Sequence, residues 1–113
     1  MSDAGPNAAR RDWRRGLLVS VRDAAEATAV AEAGVAIVDI KEPLHGPLGR
    51  ASAAVTAEAI MAVAGRAAVT LACGELADGP ATIARHVADV IEQLPNGIPL
   101  PVAVKAGPSG LGE

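Results

Sequence analysis

The chain contains no phenylalanine, no tyrosine, one tryptophan and one cysteine in 113 residues. Half of the residues are hydrophobic, yet without aromatic rings a core has to be built from Val, Ile, Leu and Ala, and such a core is thin. The length leaves room for one modest domain. The single cysteine, Cys73, excludes an internal disulfide and a multi-cysteine zinc site. His45 and His86 are too few and too far apart to replace one, and both are expected to face solvent, so neither a metal nor a cofactor is expected. Cys73 has no matched histidine, and a free cysteine usually behaves as a small buried hydrophobe. A basic excess is absent as well. The formal net charge is -3, the pI is about 5.3, and no basic stripe alternates with aromatics, which argues against nucleic-acid binding. No apolar run approaches the length of a membrane span. The start, Met1-Ser-Asp-Ala-Gly-Pro-Asn, lacks a signal-peptide layout, and Arg22 and Asp23 cut short the apolar run that follows Arg10, Arg11, Arg14 and Arg15. A cytoplasmic protein without membrane contact is the expectation.

Lysine is scarce too. Eight arginines fill the other basic positions, and the two lysines each close a short β-branched run: Val35-Ala-Ile-Val-Asp-Ile-Lys41 and Val102-Ala-Val-Lys105. A desolvated lysine, or one beside another cation, loses its proton and attacks carbonyls to form a Schiff base, whereas arginine stays charged. Asp39 stands two residues before Lys41, so on a strand both point to one face. A nucleophile, an acid/base group and a charge partner could therefore meet at strand ends. A lysine that closes a strand also serves as a solvated end, and the residue pattern alone leaves both readings open.

Along the chain, residues 1–16 read as a flexible, arginine-bearing leader, and the ordered part begins at Leu17. Residues 17–21 read as a buried strand. Asp23 and Glu26 then have the spacing of a capping box, opening an alanine-rich helix that Gly34 ends. A second strand is expected over 35–40, followed by the loop Glu42-Pro-Leu-His-Gly-Pro-Leu-Gly-Arg50. Ser52 caps a helix carrying Val55, Ala59, Ile60 and Val63, which Gly65 stops. A third strand spans 67–72 and leads into the loop Cys73-Gly-Glu-Leu. Pro80 opens a third helix with Ile83, Val87, Val90, Ile91 and Leu94 at helical spacing, and a fourth strand spans 100–105. Apolar strands alternating with amphipathic helices predict an α/β fold of parallel βαβ units. Four strands and three helices amount to about half of a TIM-type (β/α)8 barrel, which typically takes ~250 residues. Residues 17–113 are thus expected to be a truncated N-terminal half-barrel. Parallel sheets place ligands at the C-terminal ends of their strands, where Asp39, Lys41, Cys73, Glu75 and Lys105 gather on this reading.

The segments Leu17-Leu-Val-Ser-Val-Arg-Asp, Ala33-Gly-Val-Ala-Ile-Val-Asp-Ile-Lys-Glu-Pro and Gly46-Pro-Leu-Gly49 closely resemble one family. This is the (5-formylfuran-3-yl)methyl phosphate synthases, also called 4-(hydroxymethyl)-2-furancarboxaldehyde phosphate synthases, of methanogens and bacteria that use furan-containing one-carbon cofactors such as methanofuran. The likeness weakens at Cys73-Gly74-Glu75 and resumes at Val104-Lys105-Ala-Gly. The resemblance implies a TIM-barrel lyase that condenses two molecules of glyceraldehyde 3-phosphate into the furan aldehyde phosphate, losing phosphate and water. It also implies that Lys41 forms the Schiff base, that Asp39 is its companion and that Lys105 is an acid/base residue. The chain departs from the family pattern at Gly74-Glu75, where Gly-Asp is usual, and at Ala106-Gly107-Pro108-Ser109. The family's second half, with a further lysine and terminal phosphate loops, is missing from the sequence.

The expected catalytic residues are therefore Lys41, Lys105, Asp39 and Glu75. Gly46, Gly49 and Ser52 are candidates for binding phosphate, because the glycines allow a tight turn and a helix start offers free amides; a plain connecting loop fits the same residues. The expected ligand is a small sugar phosphate. A second copy or a separate C-terminal half-barrel would be the partner that covers the open sheet edges. Two other readings stay open: another Schiff-base sugar-phosphate aldolase, and an inactive truncated half or assembly subunit.

Overall fold

The structure, a computed structural model, describes residues 16–108. Apart from Gly16, the expected leader lies outside the described residues. Strands and helices alternate: β1 (Leu18–Val21), α1 (Ala24–Glu32), β2 (Ile37–Ile40), α2 (Ala53–Val63), β3 (Ala68–Glu75), α3 (Pro80–Glu92) and β4 (Ala103–Gly107). Short 3-10 turns at Pro43–His45 and Leu76–Asp78 follow β2 and β3. All four strands join one parallel sheet in the order β1-β2-β3-β4, the arrangement of half a (β/α) barrel.

The local signals explain where the elements begin and end. Asp23 accepts the Glu26 amide at 2.9 Å and so caps α1, while the Glu26 carboxylate reaches one residue further back, to the Arg22 amide at 2.8 Å. Ser52 caps α2 through the Val55 amide, and Pro80 occupies the first turn of α3. Strand boundaries differ from expectation by up to three residues, most at the start of β4 and the end of β3. β4 starts at Ala103 because Pro99 and Pro101 have no amide to donate to a ladder. β3 runs past Ala72 to Glu75, so Cys73, Gly74 and Glu75 belong to the strand and not to a loop.

The helices pack on one sheet face. Val21, Val38, Ile40, Val69, Leu71 and Cys73 from the strands meet Ala27 and Ala31 of α1, Ala59, Ile60 and Val63 of α2, and Val90 of α3 in one buried cluster. Alanines at the contact let α1 and α2 approach closely, which compensates in packing for the missing aromatics. The other face carries the alternate residues, among them Ser20, Asp39, Thr70 and Lys105.

His86 corrects the sequence reading. It is buried on α3, not solvent-facing, and its Nε2 has no hydrogen-bond partner among the described residues. Burial, and then the positive charge of Arg50, push its pKa below the ordinary 6.5, with Asp89 opposing them. A folded-state value below the unfolded one means that the unfolded chain binds more protons. The neutral imidazole therefore contributes stability above about pH 6.5 that is lost as pH falls through the depressed folded value. In urea melts at about pH 5 and about pH 7.5, His86→Leu is expected to lose less stability on acidification than the unmodified chain. Equal losses would show that His86 has the same pKa in the folded and the unfolded chain.

Candidate functional site

The candidate site lies at the C-terminal end of the sheet, with Asp39 and Lys105 on the face away from the helices and Lys41 in a cleft beside α1. Asp39 lies at the centre of β2 and is 1% exposed. A carboxylate this deep needs donors at both oxygens. Thr70 on β3 donates to Oδ1 at 2.6 Å, and Ser20 on β1 donates to Oδ2 at 3.2 Å. The ammonium of Lys105, on β4, reaches the same Oδ1 at 2.9 Å. Strand register produces this arrangement: Ser20, Asp39, Thr70 and Ala103 stand side by side across the four strands, and Lys105 is two residues further along the same face of β4.

Asp39 thus pairs with Lys105 and not with its sequence neighbour Lys41. The ammonium of Lys41 instead donates to the carbonyl of Pro47 at 3.3 Å, in the loop after β2. Lys41 lines a cleft of about 420 Å³ together with Ser20, Arg22, Glu26, Val30 and Pro43. At the rim, the Arg22 guanidinium is occupied by Glu26 at 2.7 Å, and this hydrogen bond raises the pKa of Arg22 and lowers that of Glu26. Ser20 touches both halves of the site, since it lines the cleft of Lys41 and also bonds the carboxylate that holds Lys105.

The candidate phosphate loop is tightly braced. The Glu42 amide donates to the Gly49 carbonyl at 2.9 Å, the Gly49 amide to the Gly46 carbonyl at 2.9 Å, and His45 Nδ1 lies 2.9 Å from the Arg50 carbonyl. Gly46 takes a φ of 112°, a conformation open almost only to glycine. The Ser52 hydroxyl is engaged as the cap of α2. The loop leans on the end of β3, where the Gly74 amide donates to the Leu48 carbonyl at 2.8 Å and Arg50 donates to the Cys73 carbonyl at 3.1 Å. One extra residue in β3 between the Ala72–Lys105 and Glu75–Gly107 pairs makes a bulge that turns this end toward the loop.

Glu75 and Asp78 cap each other across the 3-10 turn after β3. The Glu75 carboxylate also covers Gly107, where any Cβ would collide with it, so Glu75 sits two residues beyond Lys105 along the sheet. Cys73 is fully buried and burial raises its pKa, which keeps it a neutral thiol. Sequence reasoning did not single out Ser20, Thr70 or Arg50. Ser20 is the hydroxyl residue of β1, and Thr70 is the hydroxyl residue of the apolar stretch 68–73 of β3; that isolation is the signal they offered.

Among the described residues, no group of three or more His, Cys, Asp or Glu side chains is placed to hold a metal ion, and no helix is long and apolar enough to cross a membrane. No curated protein and no solved structure matches the chain. A family model does match, over residues 17–99, from the start of β1 to just short of β4; it describes 4-HFC-P synthase. That span takes in Ser20, Asp39, Lys41, Thr70 and Glu75 and covers most of the chain, so the chain belongs to the 4-HFC-P synthase family, whose name denotes an enzyme that builds its product.

Proposed function

We propose that the chain carries the reactive lysines of a Schiff-base lyase that condenses two molecules of glyceraldehyde 3-phosphate to 4-(hydroxymethyl)-2-furancarboxaldehyde phosphate, with loss of phosphate and water. One observation carries the reading: Asp39 takes Lys105 as its ion-pair partner and leaves Lys41 on a neutral carbonyl at the wall of a cleft. The two amines are thereby differentiated. Lys41 is not locked to a carboxylate and is the side chain suited to attack an aldehyde carbonyl. Lys105 is paired with a buried carboxylate and is the side chain assigned to give a proton to a leaving oxygen and take one back. The cleft is within the size range of small-molecule sites, and the 46–52 loop, which Lys41 touches through the Pro47 carbonyl, is the candidate for binding a substrate phosphate.

Borohydride reduction of the full chain with glyceraldehyde 3-phosphate is expected to add substrate mass to the peptide containing Lys41 and to give no such adduct in Lys41→Arg. Labelling confined to the N-terminal amine, or to Lys105, would overturn the assignment. Sugar phosphates trapped equally well whatever their chain length would favour a general aldolase.

An assembly subunit is the second reading, favoured by an apolar groove between α3 and β4 lined by Leu76, Ile83, Val87, Ile91, Val104 and Ala106. Parallel edges such as β1 and β4 pair when two copies close a barrel about a twofold axis. Sedimentation of the purified chain as a dimer would support this reading, and a stable monomer would count against it.

A further inference from the structure

We infer that Ser20 and Thr70 are positioning residues, which clamp the Asp39 carboxylate from both sides so that the Lys105 ammonium is held at one place above the sheet. The inference rests on the acid/base role proposed for Lys105 and adds the groups that make the role geometrically defined. A carboxylate joined only to a lysine can turn about its terminal torsion, and a flexible ammonium follows it. Here that rotation is blocked, because Thr70 fixes Oδ1 at 2.6 Å and Ser20 fixes Oδ2 at 3.2 Å. Thr70 and Lys105 share Oδ1, the ammonium lying 2.9 Å from an oxygen that Thr70 already holds in place.

The clamp belongs to the sheet itself. Ser20, Asp39 and Thr70 are direct neighbours in the register of β1, β2 and β3, and sliding any of these strands by one residue would send its side chain to the helix face. Thr70 is buried and β-branched, hence stiff, while Ser20 is exposed and borders the cleft of Lys41. A molecule entering that cleft borders the Ser20 hydroxyl. Anything that draws this hydroxyl away loosens the carboxylate that holds Lys105, so cleft occupancy and the freedom of the acid/base lysine are coupled through one side chain.

The presence of only two lysines makes the test direct. Acetic anhydride is applied to the folded full chain, without substrate, and acylation of Lys105 is measured against Lys41 by peptide mass spectrometry. Thr70→Val keeps the shape and removes the hydroxyl. It is expected to raise the Lys105-to-Lys41 ratio about tenfold, the worth of one hydrogen bond to a charged group. Thr70→Ser is expected to restore the ratio, and Ser20→Ala to raise it by a smaller factor. General loosening of the fold would raise both rates and leave the ratio unchanged. Should Thr70→Val fail to fold, Ser20→Ala, at an exposed position, carries the test. An unchanged ratio in every variant that folds, or no restoration by serine, overturns the inference. Because no substrate is used, failure to trap glyceraldehyde 3-phosphate on Lys41 would reject the proposed reaction without touching this result.

Discussion

Replacing Asp39 with alanine is expected to lower the stability of the fold by about 2–3 kcal/mol. Three donors lose their acceptor at once: the Thr70 hydroxyl, the Ser20 hydroxyl and the Lys105 ammonium. Their costs differ. Thr70 is 5% exposed and its hydroxyl has no route to water, so it contributes most of the loss. The Lys105 side chain is 37% exposed, and its ammonium turns into solvent when the carboxylate is gone, which keeps the total below that of a fully enclosed broken pair. Asp39→Asn keeps the shape and an acceptor for Thr70, so it is expected to cost about 1 kcal/mol while removing the charge that holds Lys105. Urea melts of the two variants check the ordering. A loss under about 0.5 kcal/mol for Asp39→Ala would mean that water already satisfies these groups.

Gly49→Ala is the second large effect, with an expected loss of about 2–3 kcal/mol. A Cβ at this position would lie 2.8 Å from the carbonyl carbon of His45 and closer still to the carbonyl oxygen of Glu42, and backbone atoms cannot swing aside as a side-chain tip can. The loop would have to open. That breaks the Glu42 amide bond to Gly49, strains the Gly74 bond to Leu48 and removes the Pro47 carbonyl from Lys41. Gly46→Ala differs in cause, since open space surrounds the added methyl and only the backbone conformation resists. Amide exchange separates the two: Gly49→Ala is expected to expose both the Glu42 and Gly74 amides, whereas a substitution absorbed within the loop would leave Gly74 protected.

Much of this site was legible in the residues themselves. Asp39, Lys41 and Lys105 stood out because a strand rich in Val and Ile has little reason to carry a charge, and their placement at one end of a parallel sheet followed from the alternation of strand and helix. What the pattern did not disclose was the pairing. Asp39 and Lys41 are two residues apart and looked like partners, but Lys105, 66 positions later, reaches the carboxylate because β4 joins the sheet in a register that brings it there. Ser20 and Thr70 became visible only with the same information. His86 is a different case. It falls on the stripe of Ile83, Val87 and Val90 on α3, so helical periodicity points inward although the side chain is polar.

The strand order β1-β2-β3-β4 also bears on how the chain reaches its fold. Every pairing joins consecutive strands, so no strand waits for a distant segment before its neighbour is present, and loop-closure costs stay modest throughout. A ribosome delivering the chain from its N-terminus releases β1, α1 and β2 as a unit that has already placed Ser20 beside Asp39, and β3 then adds Thr70. During that interval Asp39 is bound by two neutral hydroxyls and no cation. Its charge is compensated only when β4 is laid down with Lys105, so the fourth strand also neutralises the centre of the sheet it joins.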